Sequence, residues 1–197
     1  MAFISMMTEE EATGSGAAAM FDRARETYGY VPNHTRLFAH RPRVYEAWRQ
    51  LVAAVTENMD ERRYELATIA AARRLRSSYC TLAHGKVLAD RFLAAPSVRD
   101  VVLDHRRADL DEVEIAVMDL AEKVVDDATS VVPGDIARLH NLGLSDAEIF
   151  EVVLAASARC FFSKTLDALC VQADAIYAAL DPELRDTLTV GRPIASS

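Results

Sequence analysis

The longest unbroken pattern in this chain starts at Ser145, and it fixes what the chain can become. Ser145-Asp146-Ala147-Glu148 is a capping box, in which a serine oxygen and a glutamate three residues on satisfy free N–H donors at a helix start. From there to about Leu180 the residues are almost continuously apolar and helix-forming, with Asp181-Pro182 to end them. A run so rich in apolar residues, though broken by scattered charges, indicates central elements of a helical body. The rest of the chain agrees. Ala17 to Tyr28 reads as a helix stopped by Gly29, and Val31-Pro32-Asn33 as a turn. Thr35 to His40 is short and apolar on one side. Pro42 opens a helix with Val44, Ala47, Trp48, Leu51, Val52 and Val55 on one face. Trp48 is read as core, with ligand stacking as the alternative. Asp60 caps a helix to about Leu75, and a second runs to about Ala94, before Pro96. Further helices are expected from Ser97 to Asp104, from Leu110 to Val125, and from Pro133 to a close at Asn141-Leu142-Gly143. Nothing reads as a strand: Val101-Val102 and Val131-Val132 are too short. Seven glycines and six prolines in 197 residues suit this all-α reading.

That length suits one domain, placed at residues 17–185, with a flexible leader at 1–16 and a loose tail at 186–197. Thr8-Glu9-Glu10-Glu11 can start one helical turn, which Gly14-Ser15-Gly16 breaks. The net charge of −8 argues against nucleic acid or an anionic membrane as partner. No apolar run is long enough for a bilayer, and the N-terminus lacks the basic region of a secretory signal, so a cytoplasmic protein is expected. An odd count of three cysteines does not suggest a disulfide framework. There is no Gly-rich phosphate loop and no Gly-x-Ser-x-Gly elbow, and no cofactor is expected. His34, His40, His105 and His140 stand singly in polar or loop settings and read as surface residues.

Chemistry concentrates in Glu65–His84, ELATIAAARRLRSSYCTLAH. Cys80 and His84 are i and i+4, on one face of a helix. Ser77 or Ser78 can cap that helix; if Ser77 does, Cys80 lies in its first turn, where the helix dipole and a neighbouring histidine favour a thiolate. A tight turn at Arg76-Ser77-Ser78 folds two helices together and brings Glu65 towards Cys80 and His84. Carboxylate, imidazole and thiol are the parts of an activated nucleophile. The bland reading is a buried cysteine with a chance histidine neighbour. A metal site would have only Cys80, His84 and Glu65 as ligands, with no second Cys/His pair at zinc spacing, and none is expected.

A weak internal repeat accompanies this stretch. Asp60-x-x-x-Tyr64-Glu65-Leu66 matches Asp146-x-x-x-Phe150-Glu151-Val152, and alanines follow both. In that alignment Leu166 falls on Cys80 and Cys170 on His84, so only the first copy keeps the pair.

The pattern Glu65, Ser77-Ser78-Tyr79-Cys80, His84 resembles the active segment of the AhpD-like alkylhydroperoxidase and carboxymuconolactone decarboxylase superfamily. GYVPNHTRLFAHRP (Gly29 to Pro42) with the Trp48 helix is similar to the segment preceding it. LSDAEIFEVVLAASARCFFSKTLDAL (Leu144 to Leu169) is similar to the second hairpin there. The resemblance covers roughly residues 20–180. It implies an AhpD-like all-α bundle with two pseudo-repeated helical hairpins, assembled as a homo-oligomer (dimer, trimer or hexamer). It also implies catalytic roles: Cys80 as the peroxide-attacking thiol, His84 and Glu65 as its proton relay. The family's resolving cysteine falls on Ser77, which cannot form a disulfide. Turnover then calls for Cys160, Cys170 or, as the expected partner, an external thiol reductant. Cys160 and Cys170 sit in apolar settings that read as buried core. The expected activity is reduction of organic hydroperoxides. The alternatives are a decarboxylase using Glu65 and His84, and a non-catalytic oligomeric scaffold with a vestigial site.

Overall fold

In a computed structural model that describes residues 2–196, the chain is built of α-helices, with no strand among the described residues. Its centre is a helix of alanines. We number the helices in chain order: α1 (Glu9–Ala12), α2 (Ala18–Tyr28), α3 (Asn33–Phe38), α4 (Pro42–Thr56), α5 (Glu61–Arg74) and α6 (Ser78–Arg91). They continue with α7 (Ala95–Asp104), α8 (Glu112–Asp127), α9 (Pro133–Asn141), α10 (Asp146–Ala168) and α11 (Pro182–Leu188). Every residue of α5 from Glu65 to Ala72 is buried. Ala67, Ala70, Ala71 and Ala72 have no bulk to hold neighbours off, so α6, α8 and α10 pack closely around α5. Ala116 and Ala121 of α8 and Ala155 and Ala156 of α10 complete this small-residue contact layer. Leu66, Ile69, Leu82, Leu88, Val117 and Leu166 fill the space between the helices. Gly85 serves the same end on α6: a Cβ there would run into the Leu188 side chain of α11.

Side-chain caps set five of the eleven α-helix starts among the described residues. Thr8, Asp111 and Ser145 each complete a capping box, and Asp60 accepts from the Arg63 N–H. Gly29 ends α2 with φ 79. Ser77 occupies the cap position of α6 as expected, but its side chain makes no cap hydrogen bond. The turn before it holds Arg76 in the left-handed region at φ 55, and the Ser77 N–H reaches back to the Ala72 carbonyl at 3.0 Å.

Several expectations are corrected here. The long apolar run does not stay helical to Leu180. α10 stops at Ala168, Cys170 turns left-handed at φ 57, and the Val171 N–H closes on the Leu166 carbonyl at 2.9 Å. No glycine or proline marks that stop, so the pattern conceals it. Asp181-Pro182 starts a helix as well as ending a segment, because Asp181 caps α11 through the Leu184 N–H. α6 ends at Arg91 rather than near Ala94. On α4 only Trp48 and Val55 of the expected apolar face are buried; Val44, Ala47 and Leu51 are exposed. His34 and His105 are buried, whereas His40 and His140 are exposed as expected. Cys160 and Cys170 are only partly buried.

The segments before α2 and after α11 make defined contacts. The Phe3 N–H bonds to the Leu169 carbonyl at 2.9 Å and the Met7 N–H to that of Arg36 at 3.1 Å. Gly191 donates its N–H to Ser78 Oγ at 2.8 Å, and Ala195 to the Ala173 carbonyl at 2.8 Å. A side chain at Gly191 would strike the Arg76 carbonyl, so only glycine lets this strap cross the α5–α6 turn. Residues 1 and 197, the ends of the expected leader and tail, lie outside the described residues.

Candidate active site

The α5–α6 turn sends α6 back along α5, and the expected residues meet. His84 Nδ1 stands 2.6 Å from Glu65 Oε2, with both side chains largely buried. Burial holds the His84 pKa below the ordinary histidine value, against the upward pull of Glu65, and the charge of Arg159 lowers it further. His84 is therefore a neutral base at neutral pH. Cys80 is buried two residues inside the start of α6. Its sulfur has a different partner from the expected one: Arg159 Nη1 of α10 lies 3.5 Å from Cys80 Sγ, and no hydrogen bond joins Cys80 to His84 among the described residues.

Arg159 is the residue the sequence did not announce. It is buried at 5% exposure, with Nη2 3.4 Å from the Tyr64 hydroxyl and its guanidinium over the rings of Trp48 and Phe162. Burial opposes its charge, but the pull of Cys80 and then Tyr64 outweighs that, and its pKa lies above the usual arginine value. The guanidinium sets a fixed positive charge beside the sulfur.

These groups open into a cleft of about 690 Å³ with aromatic walls: Tyr28, Tyr45, Trp48, Tyr64, Phe162 and Tyr177. Trp48 stacks on Phe162 with centroids 5.0 Å apart, so it is both core and cleft wall. Cys80 is the one cysteine among the residues lining the cleft, and Ser77 is fully buried and outside that lining. None of residues 2–16 lines it. No group of three or more His, Cys, Asp or Glu side chains with the spacing of a metal site occurs among the described residues. No described helix is long and apolar enough to cross a membrane.

A second histidine faces the same cleft. His34 Nδ1 lies 3.0 Å from the Tyr79 hydroxyl, and Nε2 lies 3.0 Å from that of Tyr45. Tyr79 in turn donates to Asp174 Oδ2 in a short hydrogen bond, and the Asn33 N–H donates to Oδ1 at 2.7 Å. Burial first, and then the charge of Arg159, pushes the His34 pKa down to about 3.

No family model matches the sequence, and neither does any curated protein. Solved structures do match. One is the alkylhydroperoxidase AhpD core of a peroxidase-related protein from Ralstonia eutropha, at 18% identity and TM-score 0.78, covering 96% of this chain and 98% of the other. A peroxidase-related protein from Silicibacter sp. matches at 17% identity and TM-score 0.76, over 90% and 91%. The debrominase Bmp8, as a cysteine-to-alanine variant in complex with 2,3,4-tribromopyrrole, matches at 13% and 0.74, over 95% and 98%. The chain therefore has the AhpD-like helical fold.

Proposed function

We propose that this chain is a thiol-dependent oxidoreductase that reduces organic hydroperoxides at Cys80. The observation that carries the reading is the Arg159–Cys80 contact, made inside an aromatic cleft that also holds the His84–Glu65 pair. His84, oriented by Glu65, accepts the thiol proton, and Arg159 holds the resulting thiolate. The sulfur attacks the terminal oxygen of R–O–O–H; the O–O bond breaks, Cys80 becomes the sulfenic acid, and RO⁻ leaves as ROH once protonated. An external thiol then condenses with the sulfenic acid, releasing water, and a second equivalent frees Cys80 as the thiol. The external reductant is favoured because no other cysteine lines the cleft.

The test is consumption of cumene hydroperoxide with dithiothreitol as reductant, alongside mass spectrometry of the protein pulsed with peroxide and dimedone. Wild type should consume peroxide and carry one dimedone adduct at Cys80; Cys80→Ser should do neither while staying folded. Activity unchanged in Cys80→Ser would sink the reading. A decarboxylase working through Glu65 and His84 would instead survive Cys80→Ala. A second reading is favoured by the flat aromatic walls and by the likeness to a debrominase crystallised with a bromopyrrole. It predicts Cys80-dependent bromide release from 2,3,4-tribromopyrrole in the presence of a thiol.

A further inference from the structure

The peroxide reading leaves one donor unassigned: RO⁻ becomes ROH either with the proton that His84 took from Cys80 or with one from a second group. It also leaves a buried histidine unused. We infer that Asp174, Tyr79, His34 and Tyr45 form a second proton relay, separate from His84 and Glu65, whose outer end, the Tyr45 hydroxyl, anchors and protonates the leaving oxygen of the substrate.

The hydrogen bonds fix the order of the relay. Tyr79 gives its hydroxyl proton to Asp174, so its oxygen accepts, both from the His34 backbone N–H at 3.3 Å and from Nδ1–H at 3.0 Å. With the proton on Nδ1, Nε2 is an acceptor, and Tyr45 donates to it at 3.0 Å. Every donor thus points inward, from the cleft to the carboxylate. Reversing each donor puts a proton on Asp174 and turns the Tyr45 O–H outward. A proton crosses the chain without any group carrying a lasting charge except Asp174, which lies behind the wall while Tyr45, His34 and Tyr79 line the cleft. Burial raises the Asp174 pKa, which suits a carboxyl that takes and returns a proton. The groups facing this chain are Tyr28, Tyr30, Tyr177 and Arg159, with Arg49 and Arg23 beside Tyr45. Four separate stretches, around residues 34, 45, 79 and 174, supply the relay, so it is assembled only by the fold.

The two relays then balance a full turn. His84 takes the Cys80 proton. The outward-pointing Tyr45 O–H protonates RO⁻, leaving Asp174 ionised. When a thiol R′SH attacks the sulfenic acid, its proton enters at Tyr45 and returns to Asp174, and protonated His84 gives its proton to the departing hydroxide. Cys80–SH, ROOH and R′SH become Cys80–S–S–R′, ROH and water.

This assignment rests on the peroxide reading for its chemistry but is tested first by binding. Trp48, the only tryptophan in the sequence, lines the cleft and reports occupancy by fluorescence. The probes are 2-phenyl-2-propanol and cumene, which differ by the hydroxyl. One neutral hydrogen bond predicts that wild type holds the alcohol about 5-fold more tightly. Tyr45→Phe should erase that difference. Asp174→Asn keeps an acceptor for Tyr79 but cannot store the proton; it should keep the binding difference and slow sulfenic acid formation by about 100-fold. Alkylation of Cys80 by iodoacetamide, which needs no proton on its leaving group, should be unchanged in both variants. A binding difference that is absent in wild type or survives in Tyr45→Phe overturns the assignment, as does an unslowed sulfenic acid step in Asp174→Asn. If wild type ignores hydroperoxide altogether, the peroxide reading falls, and the binding contrast still judges whether Tyr45 anchors the ligand oxygen.

Discussion

Helices α5 and α10 start alike and end differently. Laid over each other so that Asp146 falls on Asp60, they pair Glu151 with Glu65, Arg159 with Arg73, and Ser163 with Ser77. On the first copy the chain breaks at Arg76 and restarts as α6, which swings Cys80 and His84 back over Glu65. On the second, α10 runs straight through the matching point. Glu151 therefore meets no histidine, and its buried Oε2 has no hydrogen-bond partner among the described residues. The arginines have traded roles as well. Arg73 forms an ion pair with Glu122 at 2.9 Å on the far side of α5, while Arg159 points inward to the Cys80 sulfur. One break in one copy brings His84 onto Glu65, and the unbroken copy supplies the cation beside the Cys80 sulfur.

The comparison breaks most visibly at the arginines. Arg159→Met should slow iodoacetamide alkylation of Cys80 at neutral pH by about 10- to 100-fold, the value of a hydrogen bond to a charged group. Arg73→Met should leave that rate within about 2-fold while costing up to about 1 kcal/mol of stability, read by urea unfolding. Equal effects would erase the distinction between the copies. Next come His84 and Cys170. His84→Gln should lower the rate of peroxide reduction by about 100-fold, as expected for loss of a general base, and Cys170→Ala should not change it.

The same pair separates under acid. The folded-state pKa of His84 is depressed below 6.5, so the unfolded chain takes up the proton first. The stability it contributes is present above about pH 6.5 and is lost as the pH falls through the folded value. Thermal melts of His84→Gln should fall less steeply below that point than wild type, with Cys170→Ala following wild type. The smallest effect is at the two left-handed positions. Arg76→Gly and Cys170→Gly should each stabilise by up to about 1 kcal/mol, since glycine adopts this backbone without strain. A loss in either melting temperature would show that its side chain contributes more than its backbone costs.

Glu65, Cys80 and His84 were legible because helical spacing and a tight turn leave few ways to arrange them. Arg159 was not. A lone arginine in an apolar helix reads as an interruption, and its meaning depends on which face of α10 meets Cys80. The His34 relay was less legible still, since its members lie far apart along the chain and only packing joins them. The helix positions were legible where a Ser, Asp, Gly or Pro marks an end. They failed after Ala168, where a cysteine takes the left-handed turn with no such mark. His105 looked like a surface histidine because polar residues surround it in sequence, yet it is buried and 2.9 Å from Asp119.

The Gly191 strap bears on when the site comes into being. Ser78, which receives the Gly191 N–H, stands two residues before Cys80, and Arg159 and Asp174 come from the same late part of the chain. A nascent chain on the ribosome holds its cysteine and histidine early but lacks the cation, the buried carboxylate and the clasp until some hundred residues later. The surroundings of Cys80 are therefore complete only once the chain through Gly191 has folded back onto α5 and α6.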